Sequence, residues 1–231
     1  DHGELLGDYG SFGKRTMQDP SVRVPLLVRW PKNFPARTQC DTPVSLLDVW
    51  PTLLGAAGIE SDAPGTDLAE IAAGKEKDRA VISQFQQRHV GLYMIADRSL
   101  KYVYSAYDCQ EWLLDISGPA MSLEERDVTD HPDFAEKRSE LRHRLIQILE
   151  QDGATDAVEN GQWKEYPHPP LNFDDPDYGL IYQDDPQGGA LLQQQINTLP
   201  PGYRRDVYKK GKAATKLIHD MIELTKRSEN E

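Results

Sequence analysis

Between residues 79 and 152 the spacing of apolar residues changes once, and that change limits the folds open to this chain more than any other feature. Four short runs, 79–86, 90–96, 99–105 and 111–116, are rich in β-branched and aromatic residues and are separated by polar turns. Side chains along a strand alternate between two faces, so these runs read as strands, and their short connections make the sheet antiparallel. From 132 to 152 the spacing turns helical: Phe134, Leu141, Leu145, Ile148 and Leu149 share a face, with Gly153 at the stop. A helix that buries one face on a small sheet predicts an α+β unit.

The flanking regions carry their own signals. The run Val22-Arg23-Val24-Pro25-Leu26-Leu27-Val28-Arg29-Trp30 is apolar and closed by Pro31, which predicts a mostly buried strand with Pro25 near its start. A helix is expected over 48–57, with Asp48 as N-cap, Pro51 in the first turn and Gly58 just past the end. Asp67 followed by Glu70 resembles a capping box for a short helix ending at Gly74. Residues 153–206 are rich in Pro, Gly, Asp and Gln and are expected to form an extended tail lying over a larger body. A closing helix is expected over about 204–227, with Val207, Ala214, Leu217, Ile218, Met221 and Leu224 as its apolar positions. No segment repeats another.

Charge and length exclude several classes of function. With 26 Lys+Arg against 38 Asp+Glu, the net charge of −12 argues against a general nucleic-acid binder, which needs clustered cations. No apolar run approaches the roughly 20 residues of a membrane-spanning helix. Cys40 and Cys109 provide neither metal-ligand spacing nor a disulfide framework. The chain opens on Asp1-His2-Gly3-Glu4 without Met or a signal segment, so a fragment or processed piece of a longer protein is expected.

The densest chemistry lies in that opening stretch, Asp1-His2-Gly3-Glu4-Leu5-Leu6-Gly7-Asp8-Tyr9-Gly10-Ser11-Phe12-Gly13-Lys14. A carboxylate oxygen is a hard ligand for Ca²⁺ or Mg²⁺, and an imidazole binds a metal or donates to an oxyanion. Glycines allow close backbone approach, and Lys14 brings a compact positive charge for a phosphoryl or sulfuryl oxygen.

The ordered series of short motifs resembles the second half of a formylglycine-dependent sulfatase of the alkaline-phosphatase superfamily. The resemblance starts with Asp1-His2-Gly3-Glu4-Leu5-Leu6-Gly7 and Gly13-Lys14, and continues through Ser21 to Pro31. Leu47-Asp48-Val49-Trp50-Pro51-Thr52-Leu53-Leu54-Gly55-Ala56-Ala57-Gly58 is similar to the family's Asp-x-x-Pro-Thr-Leu-Leu-x-x-Ala-Gly helix. Leu100-Lys101-Tyr102-Val103-Tyr104 resembles its Lys-Tyr strand, and Glu111-Trp112-Leu113-Leu114-Asp115-Ile116 stands where Glu-Leu-Tyr-Asp-Leu is usual. Asp19 occupies a position where Glu is common. The likeness spans about 1–152 and leaves 153–231 unmatched.

The resemblance implies an α/β fold: the C-terminal part of an alkaline-phosphatase-like α/β/α sheet over 1–75, and a small antiparallel α+β subdomain over 76–152. An extended tail and terminal helix would follow over 153–231. It implies Asp1 and His2 as metal-site residues for Ca²⁺ or another divalent cation, and Lys14 as the catalytic and substrate-binding cation on the sulfate. The formylglycine nucleophile, made from Cys or Ser in a Cys/Ser-x-Pro-x-Arg motif, is expected in a missing N-terminal half, because neither Cys40 nor Cys109 sits in such a motif. His89, between two strands, is a candidate for the substrate pocket, while Arg23 and Arg29 read as structural ion-pair partners. The substrate implied is a sulfated small molecule or carbohydrate, hydrolysed in the periplasm or outside the cell. The chain alone is expected to be inactive. The alternatives are a phosphodiesterase or phosphonate hydrolase of the same superfamily, and a non-catalytic interaction subunit.

Overall fold

The computed structural model describes residues 1–6, 14–60, 62–88, 91–106, 109–118, 126–166 and 182–183. A two-residue strand β1 (Arg15–Thr16) leads into helix α1 (Asp19–Val22); a 3₁₀ turn (Leu46–Asp48) then runs into α2 (Val49–Ala56), and α3 (Leu68–Ala72) follows. Four strands come next, β2 (Val81–Phe85), β3 (Leu92–Ala96), β4 (Leu100–Ser105) and β5 (Gln110–Asp115). Then come helix α4 (Ala135–Gln151), the hairpin β6 (Val158–Glu159) and β7 (Gln162–Trp163), and β8 (Tyr182–Gln183), which pairs with β1. The terminal helix expected over 204–227 lies outside the described residues.

The four expected strands form one antiparallel sheet in the order β2-β3-β4-β5. Period-two alternation divides its side chains into two apolar faces. One face presents Tyr93, Ile95, Tyr102, Tyr104 and Leu113 to Leu141, Leu145, Ile146 and Leu149 of α4. The other presents Leu92, Met94, Val103, Trp112 and Leu114, and Met17, 1% exposed, is buried among them. Sheets covered on both sides lose the polar outer face of a simple meander, which explains the nearly continuous apolar runs in the sequence. Gly153, at φ +74°, ends α4 as expected, with Ala154 N–H returning to Leu149 O at 2.9 Å.

Residues 157–163, expected to belong to an extended tail, pack into the core instead. Ala157, Val158 and Trp163 belong to the core, and the Trp163 ring lies 4.1 Å from that of Tyr104 at an interplanar angle of 11°. Its indole N–H donates to the Tyr102 hydroxyl at 2.9 Å. The turn between β6 and β7 is Asn160-Gly161, both at positive φ, the two-residue turn whose twist matches that of paired strands. That dipeptide between Val158 and Trp163 was the overlooked signal, outweighed by the polar composition around it.

Two further expectations need correction. Residues 23–30 form no strand. A strand exists only where its backbone groups find a partner; none of the described residues pairs with this run, and Pro25 has no N–H to offer. Leu27 is 90% exposed there. Ser45, not Asp48, is the capping residue ahead of α2: its hydroxyl accepts from Leu47 N–H at 3.3 Å, while the Asp48 carboxylate accepts from Ser45 N–H at 2.7 Å. Asp48 is fully buried and also accepts from Thr66 N–H at 2.9 Å and from Arg79 at 2.5 Å. Thr52 completes this knot, donating to Asp48 O at 2.6 Å and accepting from Leu68 N–H at 2.9 Å. The Asp-x-x-Pro-Thr spacing thus ties α2 to α3 and to the start of the sheet. Asp67 does cap α3, but Glu70 reaches Lys75 at 2.7 Å instead of returning to the cap.

Candidate functional site

The opening stretch is held by α1, a turn of four residues that begins with Asp19-Pro20. Pro is well placed in a first turn, where its missing N–H is not needed. Gly3 N–H donates to Ser21 O at 2.8 Å, and a Cβ on residue 3 would lie 1.8 Å from Pro20 O, so only glycine allows this approach. The Ser21 hydroxyl donates to Lys14 O. One buried serine therefore fastens the backbone of Gly3, beside Asp1 and His2, and that of Lys14, eleven positions later.

α1 is in turn fixed to the antiparallel sheet. Asp19 receives Lys101 of β4 and, at 3.0 Å, Arg126; Arg23 stands 4.0 Å away. The Lys101 ammonium also donates to Met17 O at 3.1 Å. Burial would push the Asp19 carboxyl up, but Lys101 and Arg126 outweigh it and hold it below the usual carboxylate range. Burial pulls the Lys101 ammonium down from its ordinary value against the support of Asp19, since Lys101 is only 3% exposed. Truncating one partner of such a buried cluster strands the others, at a cost of about 3–5 kcal/mol.

The sequence candidates lie at the surface of this support. The Asp1 side chain is 82% exposed and His2 44% exposed. His2 Nδ1 faces Gly3 O at 2.8 Å, an arrangement that assigns the ring proton to Nδ1 and leaves a lone pair on Nε2. Nε2 lies 3.4 Å from Asp1 Oδ1. An oxygen and a nitrogen lone pair at that separation, both open to solvent, suit two neighbouring ligands of one divalent cation. Among the described residues no group of three or more His, Cys, Asp or Glu side chains is assembled, so further ligands would have to come from elsewhere. Lys14 is exposed, and nothing described competes for its ammonium. His89 and the glycine-rich residues 7–13 lie outside the described residues.

Ser21, Asp19, Lys101 and Arg126 escaped the sequence reading as site supports. The legible trace was Lys101, a lone charge in an alternating apolar strand, which demands a buried partner.

The chain is similar to several known proteins. Residues 7–151 match the family model described as N-sulphoglucosamine sulphohydrolase, C-terminal. The choline-sulfatase of Rhizobium meliloti (strain 1021) is 35% identical over 130 residues, covering 53% of this chain and 25% of that protein. Arylsulfatase K of Bos taurus is 44% identical over 168 residues, covering 64% of this chain and 29% of its own length. Two solved structures share the fold at a TM-score of 0.53 and 23% identity, each covering 67% of this chain and 34% of the other: the phosphonate monoester hydrolase SpPMH from Silicibacter pomeroyi, and BT4656 in complex with D-glucosamine-2-N,6-O-disulfate. The chain thus spans about a quarter to a third of the length of these proteins. With well over half of its residues inside the family model, the chain belongs to the C-terminal family of N-sulphoglucosamine sulphohydrolase, among the sulfatases of the alkaline-phosphatase superfamily.

Proposed function

We propose that this chain is the C-terminal portion of a sulfatase that hydrolyses sulfate esters of carbohydrates or small molecules, and that it contributes part of the metal and sulfate site. The observation that carries this reading is the shared anchor at Ser21, which fastens the Asp1-His2-Gly3 backbone and the Lys14 backbone to one residue. Asp1 Oδ1 and His2 Nε2 would hold the metal, Ca²⁺ or another divalent cation, and Lys14 would face the sulfate. When bound, such a cation would supply charge stabilisation to sulfuryl oxygens as the S–O bond breaks. Lys14 does the same from a second side, while Ser21 and Gly3 keep the segments from drifting apart. The formylglycine nucleophile and the remaining ligands would be supplied by an N-terminal part of the kind implied by a C-terminal family match.

The surface left open in this chain suits that division. Leu26, Leu27, Leu46, Leu47, Trp50 and Leu53 are each 45–90% exposed, apolar side chains on 23–30, the 3₁₀ turn and α2 that suit packing against the N-terminal part. His89, between β2 and β3 in the sequence, is proposed as a substrate-binding residue. A periplasmic or extracellular setting follows from the resemblance, and no helix among the described residues is long and apolar enough to cross a membrane.

The test uses the polypeptide extended by the N-terminal portion that its relatives carry. Asp1→Ala should lose bound divalent metal and sulfate release together, since a hard cation loses an anionic oxygen. Lys14→Ala should keep its metal and lose sulfate release by about 10²-fold or more, the scale of removing one charge-stabilising donor. A Lys14→Ala enzyme of full activity, or an Asp1→Ala enzyme with full metal and activity, would overturn the assignment.

A further inference from the structure

On the α4 face of the sheet, away from Met17 and the opening stretch, lies a cavity of about 410 Å³ bounded by the edge strand β2 and the C-terminal end of α4. Its floor is Tyr93, Leu145 and Leu149; Gln84 and Gln87 line one side, and Asp152 and Asp156 the other. Tyr93 is 1% exposed, and its hydroxyl has no hydrogen-bond partner. A buried phenol normally finds one, so the floor holds an unmade bond. Gln84 is the direct cross-strand neighbour of Tyr93, and its exposed side-chain amide donates to Gln86 O at 3.0 Å.

The lining chemistry selects the occupant. An aromatic ring and two leucines suit the C–H face of a pyranose, and the rim of carboxylates and amides suits its hydroxyls. Among the described residues of the lining none is Lys, Arg or His, while two are Asp. A sulfate or carboxylate would meet like charge there; an amine would meet opposite charge. A metal ion alone is a poor fit, because no three ligating side chains gather at this place among the described residues.

We propose that this cavity is a saccharide-binding site for a neutral or amine-bearing hexose unit, separate from the proposed sulfate site and independent of whether that site is catalytic. Titration of the chain with glucosamine, followed by amide NMR, should give saturable shifts at Gln84, Gln87, Gly153 and Ala154. Glucosamine 6-sulfate should bind at least about fivefold more weakly, the direction that two carboxylates impose. Asp156→Asn should lose about fivefold in glucosamine affinity and narrow the preference over the sulfated sugar. Tyr93→Phe should weaken binding about threefold with no loss of thermal stability, which separates a ligand contact from a structural one. If Asp156→Asn does not fold, Asp152→Asn provides the same comparison with about a threefold loss. The proposal is overturned by an absence of saturable shifts up to glucosamine concentrations on the order of tens of millimolar. It is also overturned by equal affinity for the sulfated sugar, or by variants that bind as the parent does.

Discussion

Residues 81–163 and residues 23–59 treat apolar side chains in opposite ways. In the first region Tyr102, Ile95 and Leu113 are wholly buried, and α4, the β6–β7 hairpin and Met17 cover both faces of the sheet. In the second, Leu27 is 90% exposed, and Trp50 and Leu53 are each 57% exposed. Yet the second region is not loosely built: α2 ends in a Gly58 turn with Ile59 N–H on Leu54 O at 2.9 Å, and Asp48 and Thr52 bind it to α3. A well-capped helix that keeps its large apolar residues outside differs from a poor helix. The contrast separates a closed module from an open apolar surface, in a chain that spans a quarter to a third of the length of its relatives.

The largest effects should come from the closed module. Trp163→Ala removes the ring stacked on Tyr104 and the bond to Tyr102, and should lower unfolding free energy by about 3–5 kcal/mol in chemical denaturation. An effect under about 1 kcal/mol would mean that the hairpin is not part of the module. Asp19→Asn should cost a similar amount, about 3–5 kcal/mol, since Lys101 and Arg126 lose their shared carboxylate. The Asp19 carboxyl is held below its unfolded value near about 3.9, so its contribution is complete above that pH and is lost as pH falls through the lower folded value. Acid titration of stability should therefore show the parent losing its advantage over Asp19→Asn below about pH 4.

The open region should respond in the reverse manner. Leu27→Ser and Trp50→Ser should change the stability of the chain alone by no more than about 0.5 kcal/mol, because exposed positions lose little on truncation. In the polypeptide extended by the N-terminal portion, the same changes should destabilise by more than about 1.5 kcal/mol each, the scale of a buried large side chain. Equal effects in both settings would remove the contrast.

What was legible in sequence follows the same division. The sheet, α4 and the glycine stops announce themselves through period and local backbone chemistry, because every partner they need lies within the chain. The run 22–30 has the composition of a strand, but strand formation depends on a neighbour, and composition cannot show whether one is present. As candidates, Asp1, His2 and Lys14 were legible by residue type and motif order. Their support was not: Asp19 meets Lys101 across 82 positions of sequence, and no local pattern encodes that pairing. The knot around Asp48 was masked for a similar reason, since a local capping role already accounted for an acidic residue ahead of a helix.

The most direct test of the account measures sulfate release from an aryl sulfate by this chain alone and by the polypeptide extended with the N-terminal portion, both supplied with divalent cation. The account predicts no turnover above buffer for the chain alone, and turnover for the folded, metal-loaded extended polypeptide. Turnover by the chain alone, with contaminating sulfatase excluded, would contradict it, as would a folded, metal-loaded extended polypeptide that released no sulfate.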